Sequence, residues 1–489
     1  VAVALASAGL AGPAVIAAPA PAASAIAARG RSSSVVVGIA SRPGPVVPPS
    51  FLGLATEYLS IPVYERRARL FDRVLSLLAP TDGSPLILRI GGLSADDSLW
   101  APAIGSALPA KATALTPGSL DQIAALVRTE HLRVILDLNL AADVPGGEAE
   151  MAAAAIHDLP RDSIAALEIG NEPDYYRYAL RGNPAYYPQT FSPALYAQRF
   201  ADYADALRAR GDAVPLAGPA LANPVADYSY LSRLVSADRP ELGMLTVHRY
   251  ALSACARTDS PLYPTITRLL RPAASVGLAD SLARSVALAR AEHLPIRWDE
   301  LNSVTCGGTL GVSDSFASAL WGTDTLFAAL ATGVTGVNVQ MRPTALNAPF
   351  YLTAAGVQPR PLLYGMLLFA RALGADARPV ATTVSEPSGA GVSGWAVRVG
   401  RRRLNIVLLN TGSGRETVTL ALADRGPASV QRLLAASILT ESRVTLAGQQ
   451  IDGAGRWRGR FRVSRVSWSH RGYRVTMPAF SGALVGLGR

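Results

Sequence analysis

The sequence predicts a (β/α)8 barrel, the TIM-barrel class of α/β fold, followed by a C-terminal antiparallel β-sandwich. Three observations carry that expectation. Over residues 46–372, eight short apolar runs alternate with longer helical patterns. Near residue 372 the rhythm changes to short β-type runs split by Gly, Ser and Asp. The length of 489 residues suits a barrel of roughly 250 residues or more together with an accessory domain.

Residues 1–32, "VAVALASAGLAGPAVIAAPAPAASAIAARGRS", are apolar and Ala-rich, with no charge before Arg29. Pro13, Pro19 and Pro21 argue against a stable spanning helix, and Ala23-Ser24-Ala25 resembles an A-x-A cleavage site. We expect a secretory signal, hence a secreted protein; an N-terminal membrane anchor and a disordered Ala/Pro linker are the alternatives. Residues 33–45 open with a strand, "SSVVVGIA", expected to join the sandwich because a barrel needs no ninth strand.

The eight barrel strands are expected at 51–59, 86–92, 133–140, 164–170, 215–221, 244–250, 296–302 and 335–341. Short, fully apolar runs between helices mark parallel strands covered on both faces. The helices have ends: Ser119 with Gln122 reads as a capping box. Ser192 caps a helix with Pro193 in its first turn, and Gly211 stops it. A doubly wound open sheet is the runner-up, but no Gly-rich dinucleotide turn follows the first strand. Over residues 373–489 the runs "GWAVRVG", "RRLNIVLLN", "ETVTLALA", "RVTLAGQQI" and "RVTMPAFSGALVGL" have no long helix between them, the pattern of a sandwich.

Composition narrows the function. Hydrophobic residues make up 49%, enough for a large core. The net charge is +10, and Lys111 is the sole lysine among 46 basic residues. The arginines are spread along the chain with no basic amphipathic arm, so a solvated basic surface is expected rather than a nucleic-acid partner. No stretch after the leader suits a bilayer, and no stable membrane partner is expected. Cys255 and Cys306 cannot build a zinc site alone; two cysteines in a secreted chain suggest one disulfide, with two free thiols as the alternative. There is no G-x-S-x-G elbow and no H-E-x-x-H helix, so neither a serine hydrolase nor a metal cofactor is implied, and no other cofactor is expected.

Barrel chemistry sits at the C-terminal ends of strands. Those ends supply Glu57, Arg89 with Asp96, Asn139, Asn171-Glu172, His248 with Tyr250, Asp299-Glu300-Asn302 and Gln340. A charge in an apolar setting costs several kcal/mol or more unless it is paired or used. Glu172 after strand four and Glu300 on strand seven would meet in one mouth. Two carboxyls in one cleft are the apparatus of glycoside hydrolysis, one attacking the anomeric carbon and the other protonating the leaving oxygen. His248 has the alternative of being an ordinary hydrogen-bonded core histidine.

"GNEPD" with "DELNSV" resembles the large clan of retaining barrel glycosidases that carry the acid/base on strand four and the nucleophile on strand seven. Within it, the chain is similar to glycoside hydrolase family 79, the heparanase and β-glucuronidase family. The resemblance rests on "SFLGLATEY", "LRIGGLSAD", "EIGNEPD", "TVHRYALSAC", "DELNSVTCGG" and "VSDSFASALW", in that order through the barrel. It implies Glu172 as acid/base, Glu300 as nucleophile and Glu57 as an acidic substrate-binding residue. Asn171 would meet the sugar 2-hydroxyl; Asp96, His248 and Tyr250 would line the sugar pocket. Gly307 and Gly308 match a loop whose backbone N–H groups hold a uronate carboxylate, as an anion nest does. A tyrosine near "PLLYGMLLF" shares that contact in relatives. Here Leu363 stands in its place and Tyr364 follows, so Tyr364 serving with a one-residue shift and loss of the contact both stay open.

Cys255 and Cys306 lie just past adjacent strands, six and seven, and are expected to form a disulfide bracing the carboxylate-binding loop. The tyrosine-rich stretch 174–191 either walls the aglycone side or packs on its own aromatics. The expectation is a secreted retaining β-glycosidase acting on terminal β-glucuronides or related uronides. A neutral-sugar exo-glycosidase, an endo-hydrolase of acidic polysaccharide and a non-catalytic carbohydrate-binding barrel are the alternatives.

Overall fold

A computed structural model describes residues 35–489 apart from 81, 106–107, 110–111, 131, 179–189, 212, 238–239, 386–390, 423–425, 470–471 and 489, so the leader lies outside the described residues. The chain from Ser34 to Arg489 forms one compact unit. Its centre is a closed parallel barrel of eight strands, as predicted. In chain order they are Leu52–Glu57, Ile87–Gly91, Arg133–Leu138, Ile164–Ile169, Leu216–Leu221, Leu242–Ser253, Ile296–Thr305 and Gly336–Gln340. The eighth strand pairs in parallel with the first, Asn338 opposite Gly53, and closes the ring. At the closed N-terminal end, the buried Arg297 guanidinium bonds the Asn338 side chain and donates to Ser50 O at 3.0 Å, filling the barrel floor.

Helix ends follow local chemistry, with one correction. The helix Pro117–Glu130 is capped by Thr116, not Ser119. Thr116 and Ser119 exchange backbone-to-hydroxyl bonds at 3.2 and 3.3 Å, so Ser119 works from inside the first turn and Pro117 takes the first helical position. Ser192 Oγ accepts from Leu195 N at 3.2 Å ahead of the helix Pro193–Ala209, and Gly211 ends it at φ +83°.

Beyond the barrel, one long sheet path folds over a second apolar core. Val35–Pro43 lies within it, antiparallel to Ala377–Ser385 and parallel to Glu416–Ala421. The strands Ala377–Ser385 and Ala428–Leu434 were not among the runs singled out from the sequence. Period-2 alternation divides these strands between two cores. In the strand Arg403–Asn410, Ile406 and Leu408 enter the sandwich interior, while Val407 and Leu409 join the core formed with the barrel helices.

That junction carries a buried acid. Asp324, on the helix Phe316–Thr332, accepts from Ser275 Oγ at 2.5 Å, Ser393 Oγ at 2.7 Å and Trp395 Nε1 at 2.8 Å. Ser393 and Trp395 belong to the sandwich strand Val392–Val399, so one carboxylate ties the two parts together. No described helix is long and apolar enough to cross a membrane. Asp324→Ala would leave three donors without their acceptor, and we expect it to cost on the order of 3 kcal/mol in denaturant unfolding, with Asp324→Asn costing less.

Candidate active site

The fourth strand ends in a tight, left-handed turn. Gly170 has φ +84°, and a Cβ there would come within 2.6–2.8 Å of the Leu140 side chain, so only glycine fits. Glu172 has φ +50°, and its N–H donates to Ala220 O of the fifth strand at 3.0 Å. Such strain in a non-glycine residue persists where surrounding structure holds it, often at functional sites. The turn lifts Glu172 to the mouth, where it is 8% exposed.

Glu300 arrives differently. The sixth and seventh strands pair Trp298 with Val247 and Glu300 with His248, leaving Asp299 as an extra residue. A bulge of this kind breaks the two-residue alternation. It lets both Asp299 and Glu300 approach Arg89, at 3.9 and 3.1 Å. Glu300 keeps 9% exposure at the mouth, while Asp299 is fully buried.

Arg89, on the second strand, is the hub of the site and is fully buried. It donates to Glu168 Oε2 at 2.7 Å, Asp137 Oδ2 at 2.9 Å, Glu300 Oε2 at 3.1 Å and Asn171 Oδ1 at 3.1 Å. One guanidinium cannot neutralise so many carboxylates in a dry interior. Burial, and next the charge of Glu168, push the Asp299 carboxyl well above its ordinary range. Burial does the same for Asp137 against the opposing pull of Arg89.

Glu300 has a second donor. Tyr250 Oη–H bonds Glu300 Oε1 at 2.5 Å. Burial, and then the Glu300 charge, raise the Tyr250 pKa well above its ordinary value, so the phenol keeps its proton. Glu172 has a different partner: its Oε1 lies 3.0 Å from His248 Nδ1. His248 is completely buried, and its Nε2 faces Asp299 Oδ1 at 3.5 Å. It holds Glu172 from beneath instead of lining an open pocket.

Glu172, His248 and Glu300 each place an atom within 4.8 Å of the other two, the only such grouping of potential metal ligands among the described residues. With Arg89 and Tyr250 already donating to both Glu300 oxygens, a cation there would sit against a guanidinium. Hydrogen-bonded acid–base chemistry fits the donor set better than a metal.

The remaining predicted residues divide. Glu57, at the end of the first strand, faces the mouth and accepts from Ser94 N at 2.8 Å. Burial and then Glu300 push its pKa up, against Ser94 and Arg342. Asp96 is buried and accepts from Tyr176 Oη at 2.6 Å, so it fastens the segment after Glu172 from below. Tyr176 packs edge-on against Phe191 at 4.9 Å; residues 179–189 of that stretch lie outside the described residues.

Cys255 and Cys306 form a disulfide between the loops after the sixth and seventh strands. Cys306, Gly307 and Gly308 run left-handed at φ +57°, +84° and +94°. The expected nest is narrower than two N–H groups, because Gly308 N donates to Thr305 O at 3.3 Å within the turn.

Tyr364 is not in the site. It lies on the helix Pro361–Ala372 and faces the sandwich, with its hydroxyl accepting from Ile451 N at 2.9 Å and its ring against Trp457. Leu363 is fully buried in the core. Helical geometry turns both away from the mouth. Sequence reasoning placed Arg89 at a strand end without a specific role and did not single out Asp137, Glu168 or Arg342. The first three carried a signal: each is a charge flanked by apolar residues inside a strand, in "LILRIGG", "RVILDLNL" and "IAALEIG".

No family model and no curated protein matches the sequence. Solved structures that share the fold include glycoside hydrolases. They include a 4-O-α-L-rhamnosyl-β-D-glucuronidase from Fusarium oxysporum 12S, with TM-score 0.74, 19% identity and coverage of 92% of this chain and 100% of that one. An arabinofuranosidase of glycoside hydrolase family 51 from Xanthomonas axonopodis pv. citri has TM-score 0.69, 15% identity and coverage of 93% and 99%. The catalytic domain of the glycoside hydrolase family 30 xylanase C from Talaromyces cellulolyticus has TM-score 0.56, 11% identity and coverage of 93% and 100%. At these identities the likeness establishes the fold.

Two further buried acids set an expected pH dependence of stability. Burial raises Glu148 from 4.5 to about 8 and Asp174 from 3.8 to about 7. The folded chain therefore holds protons that the unfolded chain has lost, and stability is greatest on the acid side and falls as pH rises through these values. The melting temperature should drop between pH 5 and pH 8. Glu148→Gln, which keeps an acceptor for Asn139 N, should remove part of a slope of up to about 1.4 kcal/mol per pH unit per group.

Proposed function

We propose that the protein is a retaining β-glycosidase that hydrolyses terminal β-glucuronides or related uronides. The observation that carries this is the unequal environment of two carboxyls lying within 4.8 Å at the barrel mouth. Retaining glycosidases hold their pair about 5–5.5 Å apart, and inverting ones need a wider gap for water. Glu300 accepts from a guanidinium and a phenol, which orient its carboxylate as a nucleophile requires. Glu172 meets an imidazole, which suits a group that must lose and regain a proton.

In this reading Glu300 attacks the anomeric carbon while Glu172 protonates the departing oxygen. A glycosyl-enzyme results. Glu172, now a carboxylate, takes a proton from water as the water displaces Glu300. Asn171 Oδ1 is held by Arg89, which orients its amide N–H groups for the sugar 2-hydroxyl. The uronide preference is supported by the family resemblance and by the Cys306–Gly308 turn. The glucuronidase with the same fold is named for a β-glucuronide and adds weight. We also propose secretion, which the Cys255–Cys306 disulfide supports, since such bonds persist in oxidising compartments.

Hydrolysis of 4-nitrophenyl β-glucuronide, glucoside, xyloside and galactoside tests the proposal. We expect the glucuronide to be preferred, with the β-anomer of the sugar as the first-formed product by NMR. Glu300→Gln should lower the rate by about 10⁴-fold or more; Glu172→Gln should spare activated aryl substrates relative to poor leaving groups, because a good leaving group needs little proton help. Wild-type rates in both variants, or no cleavage of any member, would sink the reading.

A further inference from the structure

A uronate brings a negative charge into a mouth already crowded with carboxylates, so it needs a cation that the catalytic pair does not use. Arg89 is fully buried and committed to Glu168, Asp137, Glu300 and Asn171. A second arginine stands at the mouth. Arg342 follows the eighth strand by two residues and is partly exposed. Its guanidinium Nη2 lies 3.4 Å from where a Cβ on Gly307 would be. Its charge acts on both Glu57 and Tyr250, which flank Glu300. Yet among the described residues its side chain has no ion pair or hydrogen bond. An uncommitted arginine over a catalytic mouth has little structural reason to be there.

The segment that carries Arg342 is held in place. Leu346 N donates to Gly307 O at 2.7 Å, and Asn347 Nδ2 donates to Val304 O at 2.7 Å. Asn302 Nδ2 donates to Gln340 O and Asn347 O at 2.7 and 2.9 Å. The backbone that carries the guanidinium is thus tied to the disulfide-braced Cys306–Gly308 turn. The Gly307 N–H has no partner among the described residues.

The shape of a pyranose supplies the last step. C2 and C5 lie across the ring from each other, and the fourth and eighth strands lie across the barrel from each other. With Asn171, after strand four, taking the 2-hydroxyl, the C5 substituent is delivered to the side of strand eight.

We propose that Arg342, together with the Gly307 N–H, binds the C6 carboxylate of the substrate in place of the missing tyrosine. This rests on the uronide reading above. A guanidinium offers paired N–H donors that match a carboxylate's two oxygens.

The test compares 4-nitrophenyl β-glucuronide with its C6 amide, which keeps the leaving group and removes the charge, in wild type, Arg342→Gln and Arg342→Lys. Wild type should prefer the acid. Arg342→Gln should lower the acid-to-amide ratio of kcat/KM by on the order of 10–100-fold, the size expected for a charged hydrogen bond, and Arg342→Lys should keep most of it. The wild-type ratio should also fall with added salt, a readout independent of whether the variants fold. An unchanged ratio in Arg342→Gln, or a salt-insensitive wild-type ratio, while wild type still prefers the acid, overturns the role of Arg342 and leaves the uronide reading standing. Wild type without an acid preference overturns both.

Discussion

The buried guanidinium of Arg89 is the interaction on which this barrel's interior depends. It gathers side chains from the second, third, fourth and seventh strands, and it reaches Glu300 from below. A fully buried cation without partners costs several kcal/mol, and so does each carboxylate around it. The arrangement holds together only as a set, in which burial pushes the Asp137 and Asp299 carboxyls well above their ordinary range. The same set leaves Glu300 at the mouth, held by two donors. One network therefore holds both the buried charges and the carboxyl at the mouth, and neither can be changed there without the other.

Around that hub, the backbone departs from regular geometry where side chains must be aimed. The left-handed turn through Gly170 and Glu172 ends the fourth strand abruptly, and the bulge at Asp299 turns two consecutive acids toward the barrel interior. Neither feature serves the apolar core. Both bring carboxyls to one place from strands with two others between them in the ring. His248, paired directly with Glu300 across the sheet and bonded to Glu172, bridges the two.

The second half of the mouth is built by longer-range support. The sandwich presses one face of its sheet on the last two barrel helices, with Asp324 at the seam. Those helices follow the strand that carries Glu300 and the strand that Arg342 follows by two residues. The disulfide fixes the loop after the seventh strand to the loop after the sixth, and backbone bonds fix it to the segment after the eighth.

Periodicity alone determined the eight barrel strands, the change to β structure after residue 372 and the pairing strand near the N-terminus, because alternating apolar burial is written locally. It also marked Glu57, Glu172 and Glu300 as charges at strand ends, where burial demands a use. What it could not determine was direction. The period-2 rule places Asp299 and Glu300 on opposite faces, and only the bulge, set by pairing with the sixth strand, puts both inside. Likewise, Tyr364 and Leu363 sit within reach in sequence, yet the helix phase sends them to the sandwich and the core. Arg342, one of many dispersed arginines in the sequence, becomes distinctive only when the eighth strand and the Gly307 turn come together. The sequence determined which residues carry charge into the interior; the tertiary structure decided which of them face one another, because facing depends on register, bulges and helix phase that arise between segments far apart in the chain.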